Sequence, residues 1–278
     1  MYIGKHHFDL TRPVIMGILN VTPDSFSDGG QHHRLDDALR QAELMYQQGA
    51  SIIDIGGEST RPGAAAVDQQ LELDRVIPVI EKIHASLDVA ISIDTNKATV
   101  MLEAVNAGAG MINDVLALQS AGALEAVATM DSSIALCLMH MQGQPRTMQL
   151  NPAYDDVVSE VYDFLQQRIR ACEQVGIDSQ RIIVDPGFGF GKTLQHNLLL
   201  LKNLDEFLKT GCQVLAGISR KSMIGTLLGD VPVDQRLIGS VAAAMLACEK
   251  GAKILRVHDA AETADALKIF NAVQSASA

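Results

Sequence analysis

An eightfold alternation of short apolar runs with amphipathic helical segments constrains the fold of this chain more than any other feature. Each run is rich in β-branched and aliphatic residues and is followed by a polar turn and a segment with helical periodicity. The runs cover residues 14–21, 51–55, 89–93, 110–113, 134–138, 181–184, 213–217 and 253–257. The helical segments begin near residues 36, 68, 96, 122, 154, 196, 221 and 259. Continuously apolar strands that alternate with helices are typical of a parallel sheet covered on both faces.

Eight such units within 278 residues predict an α/β fold in which the strands close into a (β/α)8 TIM barrel. No linker rich in Pro, Gly or Ser divides the sequence. We therefore expect a single domain over residues 1–278, with its core from about residue 13 to about residue 270. An open, doubly wound sheet is the alternative architecture. It normally carries a glycine fingerprint after its first strand, and none follows residues 14–21.

The charge of the chain argues against polyanionic partners. There are 22 Lys and Arg residues against 33 Asp and Glu residues, which gives a formal net charge of −11. The resulting field repels nucleic acid and anionic membrane surfaces. With no Trp, 7 Phe and 4 Tyr there is also little aromatic surface on which bases could stack. We therefore expect neither a nucleic-acid nor a membrane partner, and a small anionic substrate would require a local cluster of Arg and Lys.

The N-terminal residues and the cysteines indicate a cytoplasmic protein. Residues 1–13 lack the apolar stretch of a signal peptide. The most apolar segment, residues 237–248, is too short to span a bilayer, which takes roughly 20 apolar residues, and we interpret it as a buried helix. The cysteines have neither metal-ligand nor redox-motif spacing, so we expect reduced thiols at Cys137, Cys172, Cys212 and Cys248.

Nearly every apolar run ends at a residue that can take part in chemistry. These residues are Asn20, Asp54, Asp94, Asn113, His140, Asp185, Ser219, Arg256 and His258. In a barrel of this kind the C-terminal ends of all the strands converge on one rim, where the active sites of the fold are built. Helix capping would account for single Asp and Asn residues, whereas a shared site accounts for the whole set.

A glycine-rich loop, DPGFGFGK at residues 185–192, follows the sixth run. It is not a phosphate-binding P-loop, because Pro186 stands where the first glycine is needed. It is not a dinucleotide fingerprint either, because Lys192 stands where the last glycine is needed. A backbone of this kind allows a flat ligand to approach closely. A mobile surface loop is the alternative, but two exposed Phe residues without a partner would be unfavourable.

Cations follow the last two strands. Residues 218–222 read ISRKS and residues 256–259 read RVHD, and barrels often hold a phosphate between these two loops. Asp259 and Glu262 predict a capping box, which would place Arg256 and His258 just before the positive end of a helix. These features favour an anion site. The alternatives are a buried structural role for His258 and a surface salt bridge for Arg61, in the loop after the second strand.

The candidate residues form two chemical groups. Asp94, Asn113 and Asp185 suit a planar heterocycle with adjacent N–H donors, because a carboxylate accepts two parallel hydrogen bonds. Arg256 and His258, together with the loop arginine, suit a phosphate-type group. A single ligand that carries both ends is the simplest interpretation. No Ser or Cys lies in a nucleophile motif, which favours direct displacement of a phosphate leaving group over a covalent intermediate.

Five segments of the chain resemble the dihydropteroate synthase family. They are NVTPDSFSDG (20–29), DIGGESTRPG (54–63), DPGFGFGK (185–192), GISRKSMIG (217–225) and RVHD (256–259), in the order of the family. The resemblance implies condensation of (7,8-dihydropterin-6-yl)methyl diphosphate with 4-aminobenzoate, which gives 7,8-dihydropteroate and pyrophosphate in folate biosynthesis. It also implies a homodimer and a target of sulfonamide drugs, which mimic aminobenzoate.

The resemblance further implies a role for individual residues. The pterin would be held by Asp94, Asn113, Met139, Asp185, Phe190, Gly217 and Lys221. The diphosphate would be held by Asn20, Arg61, Arg256 and His258, with Asn20 also touching Mg²⁺. The aminobenzoate pocket would be shaped by Thr60, Pro62, Phe188 and Ser222, and the first loop would close over it through Asp24 and Phe26. The residues expected to act in catalysis are Asp94, Asp185, Lys221 and Arg256.

The expected mechanism is dissociative. The C–O bond breaks first, the electrons of the pterin ring stabilise the methylene cation, and the neutral amine then attacks. Mg²⁺ and the clustered cations would stabilise the departing pyrophosphate. Two alternatives remain. A pterin-dependent methyltransferase domain would not need the diphosphate cations, and a non-catalytic pterin-binding paralogue would bind without turnover.

Overall fold

The computed structural model of the chain describes residues 1–21, 31–59, 67–144 and 147–276, with only the backbone described for residues 31–34. Its strands, in chain order, are β1 (Tyr2–Ile3), β2 (His6–His7), β3 (Val14–Asn20), β4 (Ala50–Gly56), β5 (Ala90–Asp94), β6 (Met111–Asp114), β7 (Ala135–Met139), β8 (Ile182–Asp185), β9 (Gln213–Ala216) and β10 (Ile254–Val257). Its helices are α1 (Gln31–Gln47), α2 (Gln69–Ser86), α3 (Ala98–Asn106), α4 (Ala123–Ala128), α5 (Val157–Gln174), α6 (Leu194–Lys202), α7 (Ser222–Leu227), α8 (Leu237–Glu249) and α9 (Ala260–Gln274).

The strands β3 to β10 form a closed parallel barrel. They hydrogen-bond in the order β10-β3-β4-β5-β6-β7-β8-β9, and β9 in turn pairs with β10. The predicted (β/α)8 barrel is therefore confirmed. Each of the eight predicted strands agrees with the observed strand to within one residue at either end.

The barrel strands are buried on both faces, which is the reason for their continuously apolar sequences. One set of side chains fills the barrel interior: Met16, Ile52, Ala90, Met111, Ala135, Cys137, Ile183, Leu215 and Ile254. The other set packs against the helices. On β4, for example, Ile53 and Ile55 lie in the same cluster as Val76 and Ile80 of α2.

A short antiparallel hairpin, β1 and β2, closes the N-terminal end of the barrel. Ile3 is fully buried and belongs to the cluster of the barrel interior. Gly4 N donates to the carbonyl of Ser133, just before β7, at 2.9 Å. The sequence predicts a core that begins near residue 13, whereas the buried core of the structure already includes Ile3. The sequence does not predict this hairpin, because strands of two residues are too short to show a periodic pattern. Since the hairpin blocks the N-terminal end of the barrel, a ligand can enter at the C-terminal rim.

The apolar sequence of α8 predicts a buried helix, but one side of the helix is exposed in the structure. Its inner face, which includes Ala243 and Ala247, is buried, whereas Ile238 is 83% and Leu246 is 57% exposed. Small alanine side chains provide the packing face, so the larger apolar side chains are left on the outside. No helix within the described residues is long and apolar enough to cross a membrane.

Candidate active site

The C-terminal rim of the barrel collects the polar residues at which the strands end. Three are the last residues of β3, β5 and β8, and three lie one or two residues before the ends of β4, β6 and β10. Because parallel strands end at the same rim, these side chains form one group. They are Asn20, Asp54, Asp94, Asn113, Asp185 and Arg256. Buried polar groups of this kind require partners.

Arg256 joins two of the buried carboxylates. Its Nε donates to Asp54 Oδ2 at 2.6 Å, and its Nη2 donates to Asp94 Oδ2 at 2.7 Å. Asn113 Nδ2 donates to the same Asp54 oxygen at 3.1 Å. Burial raises the pKa of Asp94, an effect that Arg256 opposes and the Asp54 carboxylate reinforces. The guanidinium therefore holds together two buried carboxylates that would otherwise repel each other.

Asp185 and Arg256 lie beside each other at Gly217. A Cβ on Gly217 would lie 3.9 Å from Asp185 Oδ2 and 3.9 Å from Arg256 Cδ. The two residues therefore share one mouth of the barrel, as the sequence predicts. The two groups of residues are in direct contact, because Arg256 is bonded to the carboxylates of Asp54 and Asp94. The strand order explains this contact, since β10, which carries Arg256, is only two strands away from β4, which carries Asp54.

Asp185 and Lys221 are connected through the glycine-rich loop. Asp185 Oδ1 accepts a hydrogen bond from Gly187 N at 2.7 Å. Lys221 donates to the carbonyl of Phe188, and its Nζ lies 4.6 Å from the centre of the Phe190 ring, a cation–π contact. Burial lowers the pKa of Lys221 to about 8, and the Asp185 carboxylate limits this shift. Burial raises the pKa of Asp185, an effect that the Lys221 ammonium opposes.

The glycine-rich loop is held from outside by hydrogen bonds to its backbone. Asn197 Oδ1 accepts from Gly189 N at 2.7 Å, and Tyr154 Oη donates to the carbonyl of Gly191 at 2.8 Å. Gly187 has a φ of 72°, and a Cβ at this position would collide with the carbonyl oxygen of His140, so only glycine fits. These contacts describe a fixed loop, in place of the mobile surface loop that was the alternative.

The two phenylalanines of this loop lie in different environments. The Phe190 ring is partly exposed beside Lys221, whereas the Phe188 side chain is fully buried in the core between the barrel and the helices. The carbonyl oxygen of Phe188, which accepts from Lys221, is the part of this residue near the site, and the role of Phe188 in the aminobenzoate pocket stays a prediction. Met139 is 3% exposed and lies beneath Gly187.

The loops after β9 and β10 are tied together by two contacts. Ser219 Oγ lies 3.0 Å from His258 Nδ1. Arg220 binds the Asp259 carboxylate with two hydrogen bonds, one of them from Nε at 2.9 Å. The predicted capping box is therefore wrong. Asp259 is the N-cap residue of α9, but its side chain makes no cap hydrogen bond, because the carboxylate is turned towards Arg220.

Several predicted residues lie outside the described part of the chain or contribute no observed bond. Asp24 and Phe26 of the first loop lie outside it, as do three residues of the second loop, Thr60, Arg61 and Pro62. Their predicted roles stay predictions. Ser222 is exposed at the start of α7, directly after Lys221.

Two features of the rim were not predicted from the sequence. The sequence places Asp54 at a strand end but indicates no partner for it, whereas in the structure it binds both Arg256 and Asn113. An ionic cluster also lies beside the second loop, where Lys97 binds the carboxylates of Glu58 and the fully buried Glu72. Glu58 follows β4, Glu72 lies on α2 and Lys97 directly precedes α3, so no local pattern connects them.

The residues at the rim fit a magnesium ion that is bound mainly through a substrate. A Cβ on Gly56 would lie 3.7 Å from Asn20 Oδ1 and 3.9 Å from Asp94 Oδ2, so an amide oxygen and a carboxylate oxygen face the same space. No group of three His, Cys, Asp or Glu side chains arranged for a metal occurs among the described residues. Mg²⁺ usually keeps several waters and takes one or two protein oxygens together with phosphate oxygens. Asn20 Oδ1 suits such a ligand, whereas Asp94 Oδ2 already accepts from Arg256.

Comparison with known proteins adds to this geometry. The family model described as "Pterin binding enzyme" matches residues 16–258. The dihydropteroate synthase of Haemophilus influenzae is 56% identical over 276 residues, which cover 99% of each chain. The structure of Yersinia pestis dihydropteroate synthase with a sulfonamide drug has a TM-score of 0.92 at 52% identity and covers 99% of this chain and 100% of that one. Xanthomonas albilineans dihydropteroate synthase with 4-aminobenzoic acid has a TM-score of 0.90 at 52% identity and covers 96% and 95%.

Proposed function

Because the chain belongs to the dihydropteroate synthase family, we propose that it condenses (7,8-dihydropterin-6-yl)methyl diphosphate with 4-aminobenzoate. The products are 7,8-dihydropteroate and pyrophosphate, and the reaction belongs to folate biosynthesis. A relative of 52% identity was solved with a sulfonamide drug, and we extend that drug class to this chain as a competitor of aminobenzoate.

The observation that carries the proposal is the meeting of three buried carboxylates with one arginine and one lysine at a single rim. The carboxylates of Asp94 and Asp185 can accept hydrogen bonds from the N–H groups of a pterin. Arg256 has five N–H donors, and two of them bond to Asp54 and Asp94. The remaining donors can bind phosphate oxygens next to the ring. A substrate with a pterin at one end and a diphosphate at the other matches both sets.

The reaction follows from this placement of charge. The carboxylates orient the ring while the C–O bond to the diphosphate breaks, and the ring electrons stabilise the resulting methylene cation. Arg256 and His258, together with Arg61 of the second loop, stabilise the charge that develops on the leaving oxygen. Mg²⁺, held by Asn20, would supply further positive charge to the pyrophosphate. The neutral amine of aminobenzoate then forms the C–N bond and loses one proton to solvent.

The role of Lys221 is to complete the ring end of the site. Its ammonium lies between the Phe188 carbonyl and the Phe190 ring, close to Asp185. From this position it can donate to a pterin acceptor while Asp185 accepts from the neighbouring N–H. We assign the aminobenzoate pocket to Ser222, the residue after Lys221, together with Thr60 and Pro62. This assignment puts the pocket beside the ring end of the site.

The proposal includes a cytoplasmic homodimer. Four cysteines that are buried and not paired suit a reducing compartment. Two exposed apolar residues of α8, Ile238 and Leu246, and two of the adjacent α9, Ile269 and Val273, offer a surface that a second copy would cover. We refer to these four residues as the α8/α9 apolar surface.

The test is a coupled assay of pyrophosphate release from the dihydropterin diphosphate, with and without 4-aminobenzoate, and with identification of dihydropteroate by mass. We expect release that depends on aminobenzoate. Pterin binding without release would favour a non-catalytic paralogue, and methyl transfer to a reduced pterin would favour a methyltransferase domain.

The assay is sharpened by one variant at the centre of the site. Arg256→Lys keeps the charge but replaces the planar guanidinium, whose Nε and Nη2 bond to separate carboxylates, with a single ammonium nitrogen, so we expect kcat/KM to fall at least about tenfold. Arg170→Lys, on the exposed face of α5, is the matched control and should leave kcat/KM unchanged. An Arg256→Lys enzyme within threefold of the unmodified one would contradict the role of Arg256.

A further inference from the structure

Lys192, the last residue of the glycine-rich loop, is a buried lysine that the reaction itself does not use. Only 3% of it is exposed. Its Nζ lies 2.9 Å from His140 Nδ1, 3.3 Å from the carbonyl oxygen of His140 and 3.0 Å from the carbonyl oxygen of Phe190. An ammonium has three N–H donors, so these three acceptors match it one for one.

This geometry defines the protonation of both partners. If Lys192 donates to all three acceptors, His140 Nδ1 must carry a lone pair, and the imidazole is neutral with its proton on Nε2. Burial lowers the pKa of His140 to about 3, and the positive charge of Lys192 acts in the same direction. Burial also lowers the pKa of Lys192, while the Asp185 carboxylate opposes that shift. The three acceptors around Nζ therefore match an ammonium on Lys192 beside a neutral imidazole on His140.

The histidine in turn is fixed to the barrel. His140 follows β7, and its N donates to the carbonyl of Asp185 at 3.0 Å. Its ring meets the Phe164 ring of α5 edge to face, with centroids 4.9 Å apart. Gly187 packs directly against the His140 carbonyl, where a Cβ would have no room. One end of the lysine bridge is thus anchored in the rigid part of the molecule.

We propose that Lys192 is a positioning residue for the pterin site, where its ammonium bridges His140 and the Phe190 carbonyl and so fixes the loop that carries Asp185, Phe188 and Phe190. The inference rests on the proposed function, since the ligand that the loop receives is the pterin. Without the bridge, the loop keeps its outer contacts with Asn197 and Tyr154, but the Phe188 carbonyl and the Phe190 ring lose the inner contact that sets their position relative to Lys221.

The charge of Lys192 adds to this mechanical role. Asp185 faces Lys221 at the start of α7, Arg256 on β10 and Cys137 on β7, besides Lys192. Burial raises the pKa of Asp185, and each of the three cations lowers it. Removing Lys192 therefore raises the pKa of Asp185, and Asp185 would take up a proton at a higher pH than in the unmodified protein.

The first test replaces the ammonium with an apolar group of similar length, Lys192→Met. The KM for the dihydropterin diphosphate should rise at least about tenfold while kcat changes less than threefold, and the acidic limb of kcat/KM should move to higher pH. Lys202→Met, on an exposed position of α6, is the matched control and should change nothing. An unchanged KM and an unchanged acidic limb in Lys192→Met would overturn the inference, as would a fall in kcat alone.

A second pair of variants guards against a protein that fails to fold. His140→Asn places an amide oxygen at the position of Nδ1 and keeps the acceptor, whereas His140→Leu removes it. We expect His140→Asn to bind 6-hydroxymethyl-7,8-dihydropterin about as tightly as the unmodified protein, and His140→Leu to bind it at least about tenfold more weakly by calorimetry. Equal affinity in the two variants would contradict the bridge. These titrations need no turnover, so they separate a failure of the bridge from a failure of the proposed reaction.

Discussion

Arg256 is the residue through which the ring end and the diphosphate end of the site are connected. Its guanidinium is bonded to Asp54 and Asp94, so its orientation is fixed before the substrate binds. A buried ion pair of this kind contributes little net stability but is costly to break, because the partner charge is left uncompensated. The charges at the rim are therefore better understood as a prearranged electrostatic environment for the substrate than as a source of stability.

At the same scale, Lys221 predicts the alkaline side of the pH profile. Its pKa is lowered to about 8 by burial, so its ammonium loses a proton as the pH rises through that value. We expect kcat/KM for the pterin substrate to fall above about pH 8, and Lys221→Arg to move that fall beyond about pH 9 even if its maximal rate is lower.

The measurement is a kcat/KM profile from pH 6 to about 10, the range over which lysine of this kind titrates. Lys202→Arg, on an exposed position of α6, serves as the control and should keep the alkaline limb of the unmodified enzyme. A profile that is flat to pH 10 in the unmodified enzyme would show that Lys221 does not act through its charge.

At the scale of the elements, the ion pair between Arg220 and Asp259 links the loops after β9 and β10. Asp259→Asn should lower the free energy of unfolding by about 1–2 kcal/mol, since the pair is only partly shielded from solvent. His258 directly precedes Asp259, so loss of the ion pair should also loosen the position of the His258 side chain. We therefore expect pyrophosphate to bind more weakly. Chemical denaturation and calorimetry measure the two effects.

Glu262→Gln is the matched control, because the capping box would have made Glu262 the second partner of Asp259. The structure shows no such box, so this substitution should change the free energy of unfolding by less than about 0.5 kcal/mol. A loss as large as that of Asp259→Asn would restore the capping interpretation.

The elements also show which parts of the fold a sequence can predict. The eight barrel strands were predictable because each is buried on both faces and so carries an uninterrupted apolar run. The hairpin β1–β2 was not, because two residues cannot show a period. Residues 237–248 were correctly assigned to a helix, but an apolar sequence does not tell which side faces the core. At the site, the strand-end rule found Asp54, Asp94 and Asp185, whereas the bridge from Lys192 to His140 spans 52 positions in sequence and leaves no local pattern.

At the scale of the whole molecule, the α8/α9 apolar surface predicts self-association. Ile238→Glu would place a charge on this surface and should shift the molecular mass in solution from that of a dimer to that of a monomer. Sedimentation velocity at several concentrations measures this shift. Leu150→Glu is the matched control, since Leu150 is 80% exposed but lies in the loop between β7 and α5. A dimer that survives Ile238→Glu would place the interface elsewhere.

The central claim for the whole molecule is that one barrel rim binds two chemically different ends of one substrate. Calorimetric titration with 6-hydroxymethyl-7,8-dihydropterin and, separately, with pyrophosphate and Mg²⁺ tests it most directly, in Asp185→Asn and in His258→Ala. Asp185→Asn should bind the pterin at least about tenfold more weakly and pyrophosphate unchanged, whereas His258→Ala should show the reverse pattern. If both substitutions weaken both ligands equally, or neither ligand binds at the rim, the division of the site into a ring end and a diphosphate end is wrong.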